Sequence, residues 1–135
     1  MQHAAIDARV TKVAAIAPFA SLREVVSAYL RWKFGWLTEL VPNAWIDARI
    51  DQAGRIAGFD PDQACPRCVA PQLRAAVLLV ASRDDERIPF HQTESIRDAV
   101  GPRARFMLVS GVGHVRVGGA PGVAEAVQSF LDQSP

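Results

Sequence analysis

The sequence predicts an α/β fold in which three parallel strands form a sheet with flanking helices. Three short apolar runs have the composition of buried strands, and amphipathic helical patterns alternate with them along the chain. A parallel pair of strands cannot be joined by a tight hairpin and needs a longer crossover, usually a helix. The alternation of strands and helices therefore favours a parallel sheet.

Each predicted strand is short and is bounded by polar residues or proline. The first is the apolar run from Val13 to Ala17, which Pro18 closes. The second and third lie in "AAVLLVAS" (75–82) and "ARFMLVS" (104–110), which are rich in β-branched and bulky apolar residues. We expect all three strands to be buried.

Helices are predicted after the second and third strands. In "PFHQTESIRDAVG" (89–101), apolar residues share one side, Pro89 lies near the start and Gly101 lies just past the end. In "APGVAEAVQSFLDQ" (120–133), Val123, Val127 and Phe130 have helical spacing behind a proline. Each segment can cover one face of the sheet.

The segment between the first and second strands is about twice as long as one crossover requires, and its patterns predict two helices. Ser21 and Glu24 have the spacing of a capping box at the start of one helix. Asn43 and Gly58 would cap the two ends of a second helix. Four aromatic residues near the joint of these helices are expected to pack in the core, the alternative being a substrate pocket: Trp32, Phe34, Trp36 and Trp45.

The composition predicts one folded domain over residues 1–135. Half of the residues are hydrophobic and 21% are charged, which is far from the composition of disordered chains. The formal net charge of +1 offers no basic field for nucleic acid or an anionic membrane. We see no signal-peptide pattern and no apolar run of about 18 residues, so we expect no membrane association and a cytoplasmic location.

Cys65 and Cys68 form a Cys-x-x-Cys pair, which could be half of a zinc site or a redox pair. Two further ligands at zinc-site spacing are missing, and a redox pair should open a helix just after a strand, whereas this pair precedes one. We therefore expect structural or incidental thiols, with a metal or redox role as the alternative. No cofactor is expected, and a Rossmann or flavodoxin-like binder is disfavoured, because the first strand lacks a glycine-rich phosphate-binding turn.

Acidic residues follow the second strand, and a histidine follows the third. Asp84, Asp85 and His114 should meet at one edge, because open parallel sheets gather their functional groups beyond the carboxyl ends of the strands. Neighbouring strands lie about 4.8 Å apart, so a carboxylate can accept the imidazole N–H and fix its tautomer. Gly111 and Gly113 allow the positive φ that would bring the imidazole over this edge. The pattern predicts an Asp–His acid/base pair.

These motifs resemble those of the α/β-hydrolases. Asp85 with Ile88 and Pro89 is similar to the acid loop Gly-x-x-Asp-x-x-Val-Pro, although Ser82 replaces its glycine, and "SGVGH" is similar to the histidine loop Gly-x-Gly-His. The stretch "VAAIAPFASLREVV" is similar to the strand after the nucleophile helix in serine esterase-like and prolyl-peptidase-like members. The resemblance implies that Asp85 and His114 are the acid and the histidine of a catalytic triad. By the same resemblance, residues 9–135 would contain the last three strands of the family's sheet, with residues 21–70 as a helical cap-like insertion.

The resemblance does not extend to a nucleophile. The family's Gly-x-Ser-x-Gly elbow does not occur in the sequence, and "HAAIDARV" (3–10) is similar to the end of the helix that follows it, so the elbow would lie before Met1. Ser21, Ser82 and Ser110 lie at a predicted helix cap, in the acid loop and at a strand end, none of which is an elbow. We therefore expect the chain to be inactive by itself.

Two functions follow from these observations. The first is the truncated, C-terminal portion of a serine hydrolase that acts on small-molecule ester, amide or peptide substrates once an N-terminal half completes it. The second is a non-catalytic interaction or remnant domain. Its first strand would be an exposed apolar edge that invites pairing, so we expect a homodimer in that case.

Overall fold

Three parallel strands form one sheet in this computed structural model, which describes residues 1–133. The strands are β1 (Lys12–Ile16), β2 (Ala76–Ser82) and β3 (Ala104–Val109), in the spatial order β1-β2-β3. Ala14 of β1 lies opposite Leu78, and Leu79 of β2 lies opposite Phe106. The predicted three-stranded parallel sheet is confirmed.

Helices flank this sheet and make up the segment between β1 and β2. No helix within residues 1–133 combines the length and apolar character needed to cross a membrane. The α-helices are α1 (Gln2–Ile6), α2 (Leu22–Phe34), α3 (Asn43–Ala57), α4 (Pro66–Val69), α5 (Phe90–Val100) and α6 (Val123–Asp132), and the longer 3-10 segments are Gly35–Leu40 and His114–Gly119.

The central strand alone is almost fully buried. Leu79 and Val80 of β2 are 0% exposed, whereas Ile16 of β1 is 43% exposed. The other residues of β1 are half-buried, and β3 is a mixture of exposed and buried positions. The expectation of three buried strands is therefore wrong for β1 and β3, because each is an edge strand with a neighbour on one side only.

Alternate residues of β2 belong to two apolar clusters, one on each face of the sheet, as the pleat of a strand requires. Helix α5 covers one face and helix α6 covers the other, so β2 lies between two helical layers. The first cluster includes Val77, Leu79, Ile96 and Val100, and the second includes Leu78, Val80, Val123 and Phe130.

The predicted capping box of α2 is not formed. Helix α2 begins at Leu22, directly after Ser21, but the Ser21 side chain makes no capping hydrogen bond. The carboxylate of Glu24 instead accepts hydrogen bonds from the guanidinium of Arg67, one of them at 3.3 Å. Arg67 offers this carboxylate a positive charge and two donors, whereas the helix start would offer a single neutral amide, so Glu24 pairs with Arg67.

Helix α3 ends as predicted and starts one residue earlier than predicted. Asn43 is its first helical residue rather than its cap, because Pro42 occupies the N-cap position. Gly58 ends the helix in the left-handed conformation that favours glycine.

The aromatic residues of the cap segment, residues 21–70, are exposed rather than packed in the core. Helix α2 has no buried residue, and the following 3-10 segment, Gly35–Leu40, also has none. The expectation of core packing is therefore wrong, because no element within residues 1–133 covers this side of the insertion. The exposed fractions are 40% for Trp32, 54% for Phe34, 71% for Trp36 and 53% for Trp45.

Arg23 of α2 links parts of the cap segment through ion pairs. Its guanidinium lies 2.7 Å from Asp51 of α3 and 2.6 Å from Asp62, which follows α3 in the chain. The hydrogen bond from Arg23 lowers the pKa of Asp62 below its usual value of 3.8. Together the two carboxylates raise the pKa of Arg23.

The two cysteines form a disulfide, so the expectation of structural or incidental thiols is wrong in that neither is a thiol. Cys65 directly precedes the short helix α4, and Cys68 lies within it. This turn brings their Cα atoms to 5.2 Å, a normal separation for disulfide-bonded cysteines. A Cys-x-x-Cys spacing on one helical turn brings the two sulfur atoms close enough to bond, so the pair needs neither a metal nor a strand before it.

We predict that Leu79→Ala lowers the free energy of unfolding by about 2–5 kcal/mol, because it leaves a cavity in the centre of the sheet. Urea denaturation measures this loss. Leu40→Ala is the matched control: Leu40 is 71% exposed, so the same substitution there should change stability by less than about 0.5 kcal/mol. Equal losses in the two variants would contradict this account of the core.

We predict that Asp62→Asn removes a pH-dependent part of the stability. The lowered pKa of Asp62 means that its ionised form stabilises the folded state above the unfolded pKa, near 3.8, and that this contribution disappears as the pH falls through the lower folded pKa. The melting temperatures of the parent and the variant should therefore differ at pH 7 and converge in acid. Glu39→Gln is the control, at an exposed carboxylate with no ion pair seen within residues 1–133. Its melting temperature should match that of the parent both at pH 7 and in acid.

Candidate active site

Two loops meet at the carboxyl edge of the sheet. The acid loop, residues 83–89, follows β2, and the histidine loop, residues 110–114, follows β3. Because β2 and β3 are parallel neighbours, both loops leave the sheet on the same side. The sheet topology therefore places Asp85 and His114 at one edge, as the sequence predicts.

Asp85 is a buried carboxylate whose oxygens have three hydrogen-bond donors. Its Oδ1 accepts from the backbone amides of Arg87, at 2.9 Å, and Ile88, at 2.8 Å. Its Oδ2 lies 2.8 Å from Nδ1 of His114. The Asp85 side chain is only 3% exposed. A buried carboxylate is costly unless it is paired and hydrogen-bonded, so these donors both stabilise Asp85 and fix its direction.

His114 opens the 3-10 segment after the histidine loop, and its side chain is 28% exposed. A neutral imidazole that donates its Nδ1 proton to Asp85 has its lone pair on Nε2, the tautomer that can accept a proton from a reacting group. Within residues 1–133 we see no hydrogen bond that occupies Nε2. The arrangement can therefore perform general acid/base chemistry, with Nε2 as the working atom.

Other residues of this edge also join the two loops; Asp84 was expected at this edge, whereas Glu86 and Ser82 were not. Asp84 accepts a hydrogen bond from the Gly111 amide, and Glu86 accepts one from the His114 amide. Ser82, the last residue of β2, donates to the carbonyl of Val112. Asp84 and Glu86 flank the predicted acid, and this clustering of carboxylates is the one sequence signal that could have identified them.

The two glycines of the histidine loop have different roles. Gly111 has a φ of 73°, so the predicted positive φ is confirmed there. Gly113 has a φ of −77°, so the same prediction is wrong for it. A Cβ added at Gly113 would lie 2.6 Å from Oε2 of Glu86. At this position the absence of a side chain leaves room for Glu86.

The serines considered as nucleophiles have other surroundings. Ser21 precedes α2, and Ser110 is an exposed residue after β3. Ser82 is 1% exposed, and its hydroxyl bonds to Val112 and Asp84. No hydrogen bond joins the His114 ring to any of the three, as far as residues 1–133 show.

Solved structures with a similar fold include α/β-hydrolases. An α/β-hydrolase enzyme from a Medee basin deep-sea metagenome library has a TM-score of 0.63 and 13% identity, with 99% of this chain and 61% of that protein covered. The enol-lactonase from Burkholderia xenovorans LB400 has a TM-score of 0.56 and 18% identity, with coverage of 96% and 60%. At these identities the likeness concerns the fold, and this chain spans about three fifths of each neighbour's length.

At the level of sequence, no curated protein matches the chain. Residues 45–134 match the family described as "TAP-like protein", and this match covers more than half of the chain. It includes β2, β3 and both loops of the site. The chain therefore belongs to the TAP-like family of the α/β-hydrolases.

Proposed function

We propose that this chain is the C-terminal portion of a serine hydrolase that acts on ester, amide or peptide bonds. The observation that carries the proposal is the 2.8 Å contact between Asp85 Oδ2 and His114 Nδ1 at the carboxyl edge of the sheet. Membership of the TAP-like family supports it, because the family's fold uses an acid and a histidine at this edge.

In the proposed reaction, Nε2 of His114 takes the proton from a serine hydroxyl as the hydroxyl oxygen attacks the substrate carbonyl. Asp85 holds the imidazole in the required tautomer and stabilises the imidazolium that forms. His114 then returns the proton to the leaving group, and a water molecule releases the acyl group in a second cycle of the same transfers. Each step uses the Nε2 atom that remains accessible beside the Asp85 contact.

The serine and the oxyanion hole lie outside this sequence in the proposal, because no Gly-x-Ser-x-Gly motif occurs in it. A longer form of the chain or a second polypeptide would supply them. Reading the DNA upstream of the Met1 codon for an in-frame Gly-x-Ser-x-Gly distinguishes the two sources. By itself the chain of 135 residues should be inactive.

The cytoplasmic location stays a prediction, and one observation opposes it. Disulfides persist mainly in oxidising compartments and are rare in the cytosol of most organisms. The Cys65–Cys68 disulfide therefore favours an oxidising location. Fractionation of cells that produce the protein tests its compartment, and thiol alkylation before lysis tests whether Cys65 and Cys68 are disulfide-bonded there.

We predict that a serine-directed fluorophosphonate does not label this chain alone and does label a form that includes an upstream Gly-x-Ser-x-Gly segment. In that longer form, His114→Ala and Asp85→Asn should each slow labelling on the order of 10⁴-fold, because the serine loses its base or the base loses its tautomer. Gel fluorescence after timed exposure to the probe measures the rates.

His91→Ala is the matched control for these variants. His91 is an exposed histidine on α5, and no carboxylate partner is seen for it within residues 1–133. Its replacement should leave the labelling rate unchanged. Labelling of the short chain, or full-speed labelling of the His114→Ala variant, would contradict the proposal.

A second candidate function, a non-catalytic domain that self-associates, is favoured by the edge strand β1. No strand lies on the outer side of β1 in the part of the chain that the structure describes. The amide of Ala17 and the carbonyl of Thr11 bond to β2, so by alternation the amides of Lys12, Ala14 and Ile16 face the free edge. Such a row of free amides can pair with a strand of a second copy.

If β1 joins two copies, Ala14→Pro should convert a dimer to a monomer, because proline removes one outward amide and leaves the bonds to β2 in place. Analytical ultracentrifugation across a concentration series measures the change. Circular dichroism must show the same fold in both proteins. A parent chain that stays monomeric at high concentration would exclude this second function.

A further inference from the structure

The two loops of the site are joined by more than the Asp85–His114 pair. Four consecutive residues of the histidine loop, 111–114, each contact the acid loop or the end of β2. Asp84 Oδ2 accepts from the Gly111 amide at 2.6 Å, and Ser82 Oγ donates to the Val112 carbonyl at 2.6 Å. Glu86 Oε2 packs against Gly113 and accepts from the His114 amide at 3.3 Å.

These contacts satisfy backbone groups for which no other protein partner is seen within residues 1–133. Within residues 1–133, the acceptors seen for the amides of Gly111 and His114 are the carboxylates of Asp84 and Glu86. Gly111 has a φ of 73°, so the histidine loop has left the strand conformation before it reaches His114. Carboxylates of the acid loop thus replace the backbone ladder that would otherwise hold this segment.

The contacts also form one connected unit. Ser82 Oγ accepts a hydrogen bond from the Asp84 amide while it donates to Val112, so the same hydroxyl organises the acid loop and holds the histidine loop. Asp85 lies between Asp84 and Glu86 in the chain, so a shift of either neighbour would move the acid itself. The separation of the Asp85 and His114 side chains therefore depends on both flanking carboxylates.

From this arrangement we propose that Asp84 and Glu86 are positioning residues, which hold the backbone of the histidine loop so that the His114 ring meets Asp85. This inference rests on the proposed function, in which the ring transfers protons. Acid/base pairs tolerate little displacement, since a misplacement of about 1 Å can cost on the order of 100-fold in rate. Each residue has this role through its hydrogen bond to the main chain of residues 111–114.

The test uses the 135-residue chain and follows the Nδ1 proton of His114 by NMR. A proton held between the imidazole and a buried carboxylate exchanges slowly with water. Asp84→Ala and Glu86→Ala should each speed this exchange by about tenfold or more, because the loop loses a charge-assisted hydrogen bond. Asp84→Asn and Glu86→Gln keep an accepting oxygen, so they should restore much of the slow exchange.

Two further variants separate positioning from loss of folding. Gly113→Ala keeps both carboxylates but forces Oε2 of Glu86 away from an added Cβ, so it should speed the exchange as Glu86→Ala does. Asp98→Ala removes an exposed carboxylate of α5 that pairs with Arg97, so it should change nothing at His114. Urea denaturation of each variant must show that the chain remains folded.

Each outcome decides the inference. Faster exchange in the two alanine variants and in Gly113→Ala, with recovery in the conservative variants, supports it. A His114 proton that is slow in the parent and equally slow in both alanine variants would overturn the inference and leave the Asp85–His114 pair intact. A parent chain with no protected His114 proton would overturn both the inference and the proposed function.

Discussion

The burial of β2 between two edge strands and two helical layers is the constraint on which the site depends. A one-residue slip of β2 would move every one of its side chains to the opposite face, so the packing of the helical layers on both faces fixes its register. That register also decides where β2 and β3 end, and hence where the acid loop and the histidine loop begin. The position of Asp85 relative to His114 is therefore a consequence of packing several residues away.

The polar chemistry of the site follows a second physical rule, that a buried carboxylate must be satisfied. Asp85 has two backbone donors from its own loop and one from His114. The two backbone donors hold Oδ1 of Asp85 within the acid loop, so Oδ2 is directed at Nδ1 of His114. An acid that is already oriented and desolvated needs little rearrangement during proton transfer, and this property makes the pair suitable for catalysis.

Two surfaces contrast with the buried strand β2 and the satisfied carboxylate of Asp85: the outer side of β1 and the aromatic side of the cap segment. Both are apolar or hydrogen-bond-competent surfaces that a monomeric domain normally covers. The chain spans about three fifths of the solved α/β-hydrolases that it resembles in fold. Both surfaces are thus compatible with a chain that functions together with further polypeptide, as the proposed function requires.

The sequence by itself determined the three strands, the main helices, the parallel order and the pairing of Asp85 with His114, because these depend on local periodicity, turn residues and short motifs. Only the tertiary structure decided which strands and aromatic residues are buried. Exposure depends on what lies above a side chain, and Trp36 has the same local pattern whether or not another element covers it. The Arg67–Glu24 pair and the contacts of Asp84 and Glu86 were decided there too, since each follows from distances in the folded chain that no sequence spacing encodes. The Cys65–Cys68 disulfide depends on the helical turn that the folded chain forms over this spacing.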